Sequence, residues 1–176
     1  EPAAFCIASA LNADATATLG LGTAHALRRA GHRTLLVDEV PLAERQTLKG
    51  FAYPTRYDLG QVFSGAIPLE RAMRQVAENL WFATGIKVRK AVADHRVRRP
   101  ALVERLRAFT PPLDVVLIAT SEPFGPSIPW YGDDVERILV AAPDDASLTR
   151  ALSHVRELSV HAGGGPVPVM LVGARA

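Results

Sequence analysis

An apolar run, Phe5-Cys6-Ile7-Ala8, stops at Ser9 and opens onto the stretch where phosphate chemistry would have to sit. That stretch is Ser9, Ala10, Leu11, Asn12, Ala13, Asp14, Ala15, Thr16, Ala17 and Thr18, with a helical pattern taking over at about Thr16 and running to Ala30. A loop that holds a nucleotide's phosphates between a strand and a helix needs glycines, so that backbone N–H groups can turn toward the anion. It also needs a Lys to offset the β/γ charge and a Ser or Thr for magnesium. Here the loop has no Gly and no Lys, and Asp14 adds a negative charge where phosphate would stand. Like unit charges about 4 Å apart repel by roughly 4 kcal/mol at an effective dielectric near 20. The position suits nucleotide chemistry; the residues do not. A second acidic position is Asp38, which ends the run Thr34-Leu35-Leu36-Val37 and is followed by Glu39. Ligands of open α/β sheets gather at such strand ends.

The other constellations are weaker. Lys87, Arg89, Lys90, Arg96, Arg98 and Arg99 lie close together with His95. They read either as a contact for an acidic partner, anionic lipid or nucleic acid, or as a solvated connector. No aromatic residue is interleaved, which argues against single-strand binding. The five histidines show no ligand spacing beyond His154 and His161, so no metal site is expected. Ser121-Glu122 lacks a G-x-S-x-G elbow. Gly20-Leu21-Gly22 falls inside the helical pattern without a third glycine, so it is no dinucleotide fingerprint.

The chain has 176 residues, of which 48% are hydrophobic and 22% charged, with a formal charge of +2. That is enough for one domain over 1–176, open to being a piece of a longer protein. The small charge excess gives no global nucleic-acid reading. No apolar run approaches the roughly 18 residues of a membrane span. The lone Cys6 cannot form an internal disulfide, which favours a reducing, cytoplasmic setting.

Elements must now position these residues. Gly31 suits a C-cap for the first helix, with Arg28 and Arg29 in its last turn. A short helix over Tyr57 to Gly65 precedes a second opening at Pro68, with Leu69, Ala72, Met73 and Val76 on one face. Leu80 to Gly85 is the third strand, Ala101 to Phe109 a helix, and Asp114 to Thr120 a buried strand. A strand at Arg137 to Ala142, a helix from Asp145 to His161 and a strand at Val167 to Val172 complete the chain. Strands alternating with helices predict an α/β fold: a doubly wound, mainly parallel sheet flanked by helices.

The wording of several segments resembles the MinD/ParA class of P-loop ATPases, and most of all its FlhG (FleN) group, which controls flagellar number and placement. Ala24 to Glu39 looks like the family's first helix and second strand. Thr55 to Gly65 looks like its short helix ending in Gly. The helix from Pro68, Leu80 to Gly85, Asp114 to Thr120 and Arg137 to Gly165 follow the same order. The resemblance implies a P-loop NTPase-like fold of the SIMIBI type, over nearly the whole chain. The departures fall on the chemistry. The family's loop runs K-G-G-x-G-K-T. With its preceding Ser on Ser9, Leu11 falls at the signature Lys, Asn12 and Ala13 at two glycines and Ala15 at the third. Thr16 then falls at the P-loop Lys and Ala17 at the magnesium Thr. Asp38 remains from the second-strand acidic pair, while Val40 stands at its second Asp and Glu39 could substitute in part. The switch-strand Asp falls at Ala119 and the adenine-reading Asn near Gly173.

Phosphoryl transfer depends on positioning and electrostatics from these parts. The expectation is therefore a pseudo-ATPase: a regulatory protein with no catalytic residues and no cofactor, acting on protein partners. By resemblance those are a flagellar GTPase, switch-complex proteins or a transcriptional activator, in the cytoplasm or peripherally at the membrane or cell pole. Dimerisation in the family needs sandwiched ATP, so here a monomer and a constitutive homodimer both stay open. The rival expectation is an ATP- and Mg-binding enzyme of the same fold with an unusual loop.

Overall fold

The computed structural model describes residues 3–9, 13–40, 56–85, 106, 109–120, 136–141 and 169–171. Among these, seven strands form one sheet: β1 (Ala3–Ser9), β2 (Thr34–Asp38), β3 (Arg74–Ala77), β4 (Leu80–Thr84), β5 (Val115–Ala119), β6 (Glu136–Ala141) and β7 (Val169–Leu171). Their order is β3-β4-β2-β5-β1-β6-β7, and every pairing is parallel except the antiparallel β3–β4. The doubly wound, mainly parallel sheet expected from the alternation of apolar runs and helical patterns is the fold observed. Central β2 and β5 are buried at every residue, as strands covered on both faces must be.

Side chains alternate between two cores. Cys6, Leu35, Val37, Val116 and Ile118 face one side, where Leu59, Val62 and Phe63 of α2 (Leu59–Phe63), Leu69 and Ala72 of α3 (Leu69–Ala72), Leu106 and Phe109 cover them. Trp81 and Phe109 meet there edge to face at 5.7 Å. Ile7, Leu36, Leu80, Phe82, Leu117 and Ala119 face the other side, under α1 (Ala13–Arg29) and its Ala24. Each fully buried Leu, Ile or Val contributes about 1.5–3 kcal/mol.

The end of α1 follows the sequence closely. Gly31 adopts φ +90°, donates to Arg28 O at 3.0 Å, and lets His32 N donate to Leu27 O at 3.1 Å. This pair of bonds satisfies carbonyls that the helix end would leave without partners.

One element differs from expectation. The helix opened by Pro68 lasts only Leu69–Ala72; Met73 is already extended, and Val76 lies in β3. The chain turns back through Glu78-Asn79, with Asn79 at φ 57°, so that Ala77 pairs with Leu80. A two-residue turn with Asn in the left-handed region is a hairpin signal. It outcompetes a helical face of only four apolar residues. β3 is short, carries a register shift between Gln75 and Ala77 and exposes Arg74, the features of an edge that resists further pairing.

Candidate functional site at the carboxyl edge of the sheet

The strand ends bring the expected Asp38 into one row with Asp58. Asp38 pairs with Thr84 on one side and Ala119 on the other, Ala119 pairs with Ile7, and Asp58 bridges Thr84. Backbone bonds carry the ladder past the strand ends: Gly85 N donates to Asp38 O, Glu39 N to Ala119 O and Thr120 N to Ile7 O, at 2.9, 2.9 and 3.1 Å. Asp38 and Glu39 are both buried, and burial of a carboxylate requires hydrogen bonds in compensation. One oxygen of Asp38 accepts from Val40 N at 3.0 Å, tying the turn that leaves β2. Val40 itself is fully buried.

Above this row stands α1. The helix begins at Ala13, three residues earlier than the Thr16 start that the pattern suggests, and only residues 10–12 separate it from Ser9. Ala13-Asp14-Ala15 explains the extra turn. Alanine is the best helix former, and each Gly in its place would cost about 1 kcal/mol. Asp14 sits in the first turn, where a negative charge suits the helix dipole, and its carbonyl accepts from Thr18 Oγ1 at 2.7 Å. The carboxylate expected to repel a ligand thus also helps to start the helix. Thr16, Gly20 and Ala24 recur every four residues and are all buried, Thr16 completely. Ala15 and Ala17 are half-buried beside them.

Ala119, aligned by resemblance with the switch acid, points at α1: its Cβ lies 2.7 Å from where a Cβ on Gly20 would stand. The next residue, Thr120, is the buried polar group at the end of β5. Sequence reasoning passed over it and over Asp58. Asp58 accepts from Gly60 N at 2.7 Å, while Gln61 Oε1 accepts from Asp58 N at 3.0 Å. This capping box fixes α2 against the strand ends, and its signature, Asp58-x-x-Gln61, was visible in the chain. Ala10, Leu11 and Asn12 lie outside the described residues, as do Lys87, Arg89, Lys90, Arg96, Arg98 and Arg99. Ser9 closes β1. Among the described residues no group of three or more His, Cys, Asp or Glu is placed to hold a metal ion, and no described helix is long and apolar enough to cross a membrane.

This arrangement of strands and helix recurs in solved structures. A ParA family ATPase from Chlorobium tepidum superimposes with a TM-score of 0.68 at 17% identity, over 99% of this chain and 74% of that one. Cobyrinic acid a,c-diamide synthase from Mycobacterium smegmatis, solved with an ATP analogue and magnesium, gives 0.67 at 17%, over 98% and 75%. MinD in the MinC:MinD cell division complex of Aquifex aeolicus gives 0.63 at 18%, over 99% and 69%. The fold is the MinD/ParA fold. No protein-family model matches the sequence, and no curated protein sequence matches it. Within the MinD/ParA fold, the carboxyl edge of β1, β2 and β5 beneath the start of α1 is where a phosphate loop would lie. Thr16 and Val40, aligned by resemblance with the phosphate lysine and a second carboxylate, are both fully buried.

Proposed function

We propose that this chain is a MinD/FlhG-like regulatory protein that acts through protein–protein contacts and does not hydrolyse ATP, in the placement or number of flagella or other polar organelles. The observation that carries the reading is the complete burial of Thr16 in the first turns of α1, a helix that only residues 10–12 separate from β1. Phosphoryl transfer is almost wholly charge stabilisation and positioning, and removing one positioned donor commonly costs 10²–10³ in rate. By resemblance, Thr16, Ala17, Val40 and Ala119 stand at the positions of the lysine, the magnesium Thr and two carboxylates. That MinD of Aquifex aeolicus was solved in complex with MinC supports protein partners as the mode of action. The partners we assign are a flagellar GTPase, switch-complex proteins or a transcriptional activator, met in the cytoplasm or peripherally at the membrane or cell pole. A constitutive homodimer is compatible with this reading.

Calorimetric titration with Mg-ATP tests it. A flat trace is expected. Micromolar binding would instead favour an active enzyme of the same fold, the class to which the ATP-analogue complex of the diamide synthase belongs.

A further inference from the structure

We draw no further inference here: the strongest candidate, the exposed face of α1 at Thr18, Gly22 and Ala26, is a stripe of small side chains, and nothing among the described residues shows what covers it.

Discussion

Ala119, the last residue of β5, touches α1 at a position where the helix has no side chain: a Cβ on Gly20 would stand 2.7 Å from the Cβ of Ala119. Leu36 Cδ1 would be 3.6 Å from the same point. The glycine lets helix and sheet approach closely, and the Cβ of Ala119, fixed to a central strand, has no rotamer through which to retreat.

Gly20→Ala should therefore destabilise the protein although alanine is the better helix former. Overpacking typically costs 1–3 kcal/mol, against about 1 kcal/mol of recovered propensity, so a net loss is expected. Gly22, two residues on, is exposed, and a Cβ added there would meet nothing within 4 Å, so Gly22→Ala should stabilise by roughly 0.5–1 kcal/mol. Urea unfolding of the two variants should move the midpoint in opposite directions; movement in the same direction would refute the packing account.

At the opposite edge of the sheet, Arg33 and Asp114 join the starts of β2 and β5. Arg33 Nε and its second guanidinium nitrogen donate to the two carboxylate oxygens at 3.1 and 2.7 Å, and Arg33 N donates at 2.8 Å. The side-chain bonds from Arg33, followed by the backbone bond, hold the carboxyl from its ordinary 3.8 down to about 2. A carboxyl with a lowered folded-state value adds stability that is complete above its unfolded value and disappears as pH falls through the folded one. Stability should thus decline between about pH 4 and pH 2, and Asp114→Asn should flatten that part of the profile. Both side chains are about a third exposed, at 35% and 34%, so added salt should shrink the effect. Unfolding midpoints measured from about pH 5 to pH 2, at low and high salt, check both statements.

Asp58→Ala should cost about 1 kcal/mol by removing one arm of the capping box, and Asp58→Asn much less, because the amide oxygen still accepts from Gly60 N. Because Asp58 also bridges Thr84, faster exchange should extend from the α2 amides to the end of β4. A uniform change across the protein would show that the cap acts only through global stability.

Phe109→Ala should cost about 3–5 kcal/mol, since the ring is buried and meets Trp81 edge to face with an 84° interplanar angle. Trp81 fluorescence, isolated in a Trp130→Phe background, should change in the folded state; an unchanged spectrum would place the two rings apart.

The legible parts of this chain were those decided by local chemistry. Alternating apolar runs and helical stretches were enough for a doubly wound sheet, and Gly31 after Arg28-Arg29 was enough for the helix stop. The hairpin of β3 and β4 was obscured because Leu69, Ala72, Met73 and Val76 imitate a helical face. The Asn79 turn that overrules them gains its advantage only when β4 is in place to pair with β3.

For the candidate site, the order of residues alone established which groups are missing: there is no glycine or lysine between Ser9 and Ala17, and Val40 stands two residues after Asp38. Tertiary structure decided where the remaining groups face. The burial of Thr16 depends on the phase in which α1 packs, and which end residue of β5 meets the helix depends on the pleat. Helical phase and strand alternation are set by packing among Gly20, Leu36 and Ala119, contacts between residues far apart in the chain.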